Sequence, residues 1–480
     1  MNRAARLALL AATALACGCG EPQAPAPARR VILITCDTLR ADRLGAYGYG
    51  RPTTPNLDAF AGQAVLFELA YTSAPVTDPA LSSLMTGRLP DEIGVAGGNR
   101  LFMPASVETL AELASAAGLP TGAVVSNWVL RRPEPAYGDV GLPQGFDHYD
   151  DRMTEPELNR DFAAERDAPD TTDAAIAWLS ARRDRGEDRF LFWVHYQDPH
   201  GPYTPPEPIA QRFASPPGDE PPLALSTTVY GQGAIPSYQA LGGERRPGVY
   251  RDRYDAEVAY IDEHVGRLLD WLREQQWWDD SLIVFTADHG EALGEHDSWF
   301  CHGENAYAEA VRVPLIVRFP RMAAADAVAN AATSAATAGR RAELVGHIDL
   351  FPTVVEALGL PARAARGRSL FQSWPGSRLL VQTLSEPGRP CRWHGLTDGR
   401  WRLVTHEGSP SQLFDLAADP REEHDLAAAR PEIVAEMERT FAELLRSAER
   451  VAPLSERTVS PEEEARLKSM GYAGGDDQDC

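Results

Sequence analysis

The chain has 480 residues, 44% of them hydrophobic, with 46 Lys and Arg against 69 Asp and Glu and a net charge of -23. This length allows one large domain plus a smaller one, or about three average ones, and the apolar content supplies a sizeable core, which excludes disorder as the default. Acidity of this degree excludes a nucleic-acid-binding surface, which needs a basic stripe.

At the amino terminus, Arg3 and Arg6 precede the apolar run LALLAATALA, which ends on small residues before Cys17-Gly18-Cys19. Residues 1–19 read as a secretory signal, too short to span a bilayer. The ending resembles a bacterial lipoprotein signal, with Cys17 or Cys19 as the lipidated residue, although the position three before either Cys is Ala rather than Leu. A soluble exported protein is the alternative. The Pro/Ala segment 20–29 is then a tether, and the expected location is periplasmic or cell-envelope, with membrane contact only through the lipid. No later segment reaches about 18 uninterrupted apolar residues, so nothing else is expected to span. Cys36, Cys301, Cys391 and Cys480 show no CxxC spacing, which indicates neither a zinc ribbon nor a disulfide scaffold.

Val31–Cys36 is a continuous apolar run, as expected of a strand covered on both faces, and it ends at Asp37-Thr38. Thr54 and Pro55 start a helix, and Val65–Tyr71 is the next strand. Asp78-Pro79 opens a short helix, PALSSLMT, stopped by Gly87, with Asp78 as cap. Thr77 then stands one residue ahead of a helix amino terminus, where free N–H groups and the dipole favour an anion. Ser106–Ala117 is a helix, Thr121–Ser126 a strand, Thr171–Arg183 a helix, and Phe190–His195 a strand leading into the rigid polar loop Gln197–Tyr203. From there to Gly248 the Pro/Gly-rich chain reads as a surface excursion at the rim of a pocket.

Arg251–Trp277 carries apolar residues at helical spacing, and Val311–Phe319 is another strand. The Ala-rich segment Ala323–Arg340 reads as a variable loop or loose helix, and Asp349–Leu358 as a helix. Alternating strands and helices predict an α/β domain over residues 30–372, a mostly parallel sheet sandwiched by helices. Leu379–Leu384, Gly395–Thr397 and Trp401–His406, with a turn at Asp398-Gly399 and a helix at 431–449, predict a small antiparallel sheet plus helix over 373–450. The tail is 451–480.

The stretch Leu282–Gly303 organises the rest. Its apolar run to Phe285 breaks into Thr286-Ala287 and then Asp288-His289-Gly290-Glu291. A strand that delivers an acid and an imidazole at its carboxyl end sits where open α/β folds place their chemistry, and the pair is a half-set of ligands for a divalent cation. Asp37 and the Asp198/His200 loop stand at two further strand ends. Convergence of those ends would give two carboxylates, an imidazole and the Thr77 hydroxyl around one metal, which would lower the hydroxyl's pKa and make it a nucleophile. His200, His302 and, on the substrate side, Arg88 and Asp198 are the candidates for contacting a transferring anion. His195, inside an apolar strand, reads as structural. The imidazole favours Zn or Mn over the Ca of all-oxygen sites, and a second metal would need Asp198, His200 and His302.

The series ITCDTLRADRLGAYGYGRPTTPNLD, APVTDPALSSLMTGRLP, VHYQDPHGPYTPP, TADHGE, RVPLIVR and HIDLFPTVVEALGL, with LFDLAADPREEHDLA near the end, resembles the sulfatase family of the alkaline-phosphatase superfamily over about residues 30–430. The resemblance implies metal ligation by Asp37, Asp288 and His289, with Thr38 where many members have a second Asp. It further implies substrate contact by His200 and a leaving-group or substrate role for His302. The departure is Thr77, where sulfatases carry the Cys or Ser that becomes formylglycine, and Leu81, where their motif has Arg. A secondary alcohol cannot yield that aldehyde. A Thr alkoxide is what the phosphodiesterases and phospho-head-group transferases of the superfamily use. The resemblance therefore implies a metal-dependent hydrolase of sulfuric or phosphoric esters with an anionic ester substrate. A phosphodiesterase or transferase, and a non-catalytic anion-binding relative, are the alternatives.

Overall fold

An apolar run without alternation must be covered on both faces, and Arg30–Cys36 (β1) is buried along its whole length. The computed structural model describes residues 28–95, 103–132, 141–160, 163–216, 218–321, 338–374, 380–384 and 392–447. The expected signal with Cys17 and Cys19, most of the tether and the tail lie outside the described residues.

β1 is one of the central strands of an 8-stranded sheet. The others are β2 (Val65–Tyr71), β3 (Thr121–Val125), β4 (His148–Asp150), β5 (Phe190–Tyr196), β6 (Ser281–Ala287), β7 (Leu315–Arg318) and β8 (Gly339–Gly346). Their order is β8-β2-β7-β6-β1-β5-β3-β4. β7 runs antiparallel to both neighbours, and the remaining pairs are parallel. Helices cover the sheet: α1 (Pro55–Ala61), α4 (Ala168–Asp184) and α5 (Pro247–Glu274) pack together, as do α2 (Thr77–Thr86), α3 (Leu110–Ala116) and α6 (Leu350–Ala357).

Four differences from the sequence reading have local causes. Helix α2 begins at Thr77 itself, with Val76 as cap and no side-chain capping bond, so Asp78 is a first-turn acid rather than the cap. Helix α3 is shorter than expected because Thr109 and Glu112 form a capping box that fixes its start. The surface excursion contains a short helix, Glu207–Phe213. Strand β8 emerges from the end of the segment read as a variable loop, its first residues exposed, so it lacks the apolar run that marks the other strands.

A second sheet of four antiparallel strands follows: β9 (Leu380–Leu384), β10 (Trp393–Thr397), β11 (Trp401–His406) and β12 (Gln412–Asp415), with α7 (Pro431–Ser447) behind it. The expected β10–β11 turn is present, with Gly399 at φ 95. The unit shares a core with the main domain: Leu396, Leu403, Leu413 and Met437 pack with Tyr71, Leu89, Val311 and Ile348.

A polar clamp reinforces this junction. Arg402 and Glu422, both fully buried, pair at 2.6 Å. The Glu422 backbone carbonyl accepts from His296 Nε2 at 2.9 Å, and the Glu309 carboxylate accepts from His296 Nδ1 at 2.8 Å. Both partners can only accept, so both ring nitrogens carry hydrogen, and the ring stacks on Tyr307 at 3.7 Å. Burial opposes the charge, but Glu309 and the Glu422 carbonyl prevail, and the His296 pKa rises to about 9. A folded-state pKa above the unfolded value of about 6.5 contributes stability that is complete below that pH and is lost as pH rises through about 9. Wild type is therefore expected to melt above His296→Phe at pH 6, with the gap closing toward pH 9.5. A constant gap in thermal melts across that range would contradict the charged clamp.

Candidate active site

Parallel pairing aligns Cys36 of β1 with Ala287 of β6 and Tyr196 of β5. The ladder continues one step further, with Asp288 N–H donating to the Cys36 carbonyl at 3.0 Å and Asp37 N–H to the Tyr196 carbonyl at 2.9 Å. The first residues past two adjacent strands are thus both aspartates, and both are fully buried.

Each carboxylate is only half satisfied. Asn127, just past β3, donates to Asp37 Oδ2. Thr38 N–H and His289 N–H donate to Asp288 Oδ1 at 3.1 and 2.6 Å. Asp37 Oδ1 and Asp288 Oδ2 have no hydrogen-bond donor among the described residues. Burial pushes the Asp37 pKa up to about 7, and burial with the Asp37 charge pushes Asp288 up. Thr38 sits at φ 55, a left-handed conformation costly for a β-branched residue by about 1–3 kcal/mol. Its N–H bond to Asp288 and the Tyr254 hydroxyl, 2.8 Å from its carbonyl, hold it there.

The imidazole of His289 completes the cluster. Its Nδ1–H donates to the Gly290 carbonyl at 2.9 Å, which turns Nε2 toward the centre. Nε2 lies 3.7 Å from Asp37 Oδ1, 3.5 Å from Asp288 Oδ2 and 3.3 Å from Thr77 Oγ1. The structure thus brings Asp37, Thr77, Asp288 and His289 together, with Thr77 buried as the first residue of the ten-residue helix α2.

The residues present suit a cation. Two buried, donor-free carboxylate oxygens lie 3.7 and 3.5 Å from the same His289 nitrogen, and atoms of Asp37, Asp288 and His195 lie within 4.8 Å of one another. His195, read from sequence as structural, has Nε2 at 3.7 Å from Asp37 Oδ2, while its Nδ1 meets Thr35 Oγ1 at 2.9 Å. Burial drops its pKa to about 4 and keeps it neutral. The register reveals this position: His195 is aligned with Thr35 and Val125, one step before the strand ends.

Above the cluster, the His302 ring lies 4.5 Å from His289 and 5.1 Å from His200. Burial depresses the pKa of both, His302 to about 4. Gln197 Nε2 meets His200 Nδ1 at 3.2 Å.

Two expected substrate contacts are placed elsewhere. Arg88 follows the carboxyl end of α2, about 15 Å of helix from Thr77, and its guanidinium meets the Ala364 carbonyl at 3.5 Å. The buried cation whose charge reaches both His200 and His302 is Arg160, which sequence reasoning missed. Asp198 lies among the acids Asp167 and Glu257, and burial with the Asp167 charge pushes its pKa up to about 7.

A model of the sulfatase family matches residues 29–360. The chain belongs to the sulfatase family, whose members are ester hydrolases. It is 27% identical over 422 residues to the choline-sulfatase of Rhizobium meliloti, covering 78% of this chain and 77% of that protein. Among solved structures, one in complex with its substrate D-glucosamine-2-N,6-O-disulfate superposes with a TM-score of 0.69 at 20% identity, covering 88% of this chain and 98% of the other. The phosphonate monoester hydrolase of Agrobacterium radiobacter superposes with a TM-score of 0.65 at 22% identity, covering 88% and 95%.

Gly290 lets the His289 turn form. Its N–H donates to the Ala310 carbonyl at 2.9 Å, and a Cβ there would meet the Glu309 carbonyl oxygen at 2.0 Å. Backbone cannot yield as a side chain does, so Gly290→Ala is expected to cost about 1–3 kcal/mol in denaturant unfolding. An unchanged midpoint would show that the turn is not held in this way.

Proposed function

We propose that the chain is a metal-dependent hydrolase of anionic esters in which the Thr77 hydroxyl is the nucleophile. The observation that carries this reading is Thr77 Oγ1 at 3.3 Å from His289 Nε2, beside two buried, donor-starved carboxylates. Asp37, Asp288 and His289 would hold a divalent cation with Thr77 at its edge, and His195 is within reach of the same carboxylates. Zn or Mn suits the imidazole, and Ca would rely on the oxygens. When bound, the cation supplies the positive charge that eases loss of the hydroxyl proton and neutralises the ester anion.

The residues of the chain divide the remaining work. The Thr77 O–H bond breaks with its proton passing to solvent water, Oγ attacks phosphorus or sulfur, the bond to the leaving oxygen breaks with its electron pair on that oxygen, and water later releases the anion from Thr77. The amino terminus of α2 favours the transferring anion through first-turn N–H groups that lack intrahelical partners. His200 and His302 line the approach and can donate hydrogen bonds to ester oxygens. Thr77 stands where relatives in this family oxidise Cys or Ser, and its secondary alcohol cannot form the aldehyde whose hydrate expels sulfate. Phosphoric and phosphonic esters are therefore the favoured class, since a threonine sulfate has no second hydroxyl through which to eliminate. The structural likeness to a phosphonate monoester hydrolase is compatible with that preference.

A panel of aryl phosphodiesters, phosphate and phosphonate monoesters and sulfates, each with Zn, Mn or Ca, tests the reading. Turnover is expected on the phosphorus esters first, falling about a thousand-fold or more in Thr77→Ala. Equal rates in wild type and Thr77→Ala would remove Thr77 from the chemistry. Cation binding has a separate readout. At 100 times its Kd a cation raises stability by about 2.7 kcal/mol, so wild-type melting should rise on adding the metal. Asp288→Asn should melt higher than wild type without metal, because it removes a buried like-charge contact, and should not respond to metal. A metal-induced shift preserved in Asp288→Asn would exclude that ligand.

A further inference from the structure

The chemistry above leaves unused a fully buried carboxyl beside the site, that of Glu291. Its backbone is fixed on both sides. The carbonyl of Glu291 accepts from Arg40 Nη1 at 2.9 Å, and Arg40 is itself locked by Asp42 at 2.9 and 2.8 Å and by Glu295 at 2.9 Å. The residue after Glu291, Ala292, is paired with Cys301, the residue before His302, in a two-stranded ladder. Glu291 and His302 are thus carried side by side on the open end of one hairpin. Glu291 Oε1 lies 3.3 Å from His302 Nδ1, and the Tyr203 hydroxyl approaches the same carboxyl.

With Nδ1 engaged by Glu291, Nε2 is the nitrogen of His302 left for the substrate, and its ring lies against His289 and His200 at 4.5 and 5.1 Å. We propose that Glu291 is a positioning residue that holds His302 through Nδ1, so that Nε2 serves the leaving oxygen of the ester. The inference rests on the proposed function and deepens it by naming what sets the leaving-group donor. In the step it supports, the bond from phosphorus or sulfur to the leaving oxygen breaks and its electron pair stays on that oxygen. Nε2–H donates a hydrogen bond to that oxygen and steadies its developing charge, the oxygen takes its proton from solvent water, and the ring stays neutral. Glu291 touches neither substrate nor reacting atoms.

The test is a series of esters with 4-nitrophenol, phenol and a simple alkyl alcohol as leaving groups, since only poor leaving groups need that hydrogen bond. For phenyl and alkyl esters, Glu291→Leu and Glu291→Asp are expected to lower kcat by about 10- to 100-fold. For the 4-nitrophenyl ester the loss should stay within about 3-fold, with KM unchanged. Glu291→Gln, whose amide can make the same hydrogen bond, should stay near wild type throughout. In a His302→Ala background, Glu291→Leu should add nothing. If Glu291→Leu does not fold, Glu291→Asp carries the same expectation. A kcat loss equal for all leaving groups, a Gln variant as impaired as Leu, or a full additional effect in the His302→Ala background would each overturn the inference. Turnover that depends on Thr77 but shows none of these leaving-group effects defeats this inference alone. Turnover that survives Thr77→Ala defeats the proposed nucleophile while the Glu291 pattern remains readable, and absence of turnover on every ester defeats both.

Discussion

Two aspartates, Asp37 and Asp288, occupy neighbouring strand ends with no exposure to solvent, and the arrangement of the site follows from that constraint. Like charges in a dry setting repel, and each loses hydration that the protein must replace. The replacement is partial and directional. Asn127 serves the outer oxygen of Asp37, and two backbone N–H groups serve one oxygen of Asp288. The inner pair of oxygens is left to whatever positive charge enters. A fold that only sought stability would fill this space with apolar side chains; this one instead holds a left-handed threonine at position 38 to deliver an N–H. Such local conflict is expected where function, rather than packing, selects the residue.

The imidazoles extend that logic outward. His289 is fixed by a carbonyl that accepts from Nδ1, so its remaining nitrogen points at Thr77 and the acids. Burial lowers the pKa of His195, His200 and His302, which keeps neutral rings around a centre whose carboxyls are drawn toward protonation. Neutral rings can serve as ligands or donors as the incoming cation and anion require. The backbone beneath them is tied to other parts of the chain, through Gly290 to the turn at Ala310 and through Arg40 to the Glu291 carbonyl.

The sheet was legible in the sequence because its strands are buried on both faces, so β1, β5 and β6 appear as unbroken apolar runs. The convergence of Asp37, Thr77, Asp288 and His289 was legible because three of them directly follow such runs and the fourth stands at a helix start. Strand β8, exposed over its first half, carries no such run, and the antiparallel direction of β7 has no signature in composition. Arg88 was misplaced because a cation close in sequence to Thr77 is carried away by the length of α2. Arg160 and Asn127 reach the site through tertiary contacts from segments with no motif of their own, Glu291 stands in a quoted motif but meets His302 only through the hairpin, and His195 was hidden by the apolar strand around it. These depend on register and loop packing, which a linear pattern does not encode.

The clamp joining the two sheets bears on how this protein relates to its family. The matched span ends at residue 360, whereas Arg402 and Glu422, which grip the segment between His296 and Ala308, lie beyond it. His302 sits inside that gripped segment. A chain ended at residue 360 would retain every strand of the main sheet and the acid cluster, yet lose the groups that hold the hairpin carrying its outermost histidine. The smaller sheet thus works as a splint for the hairpin, so the outermost histidine depends on a unit that holds none of the acid cluster.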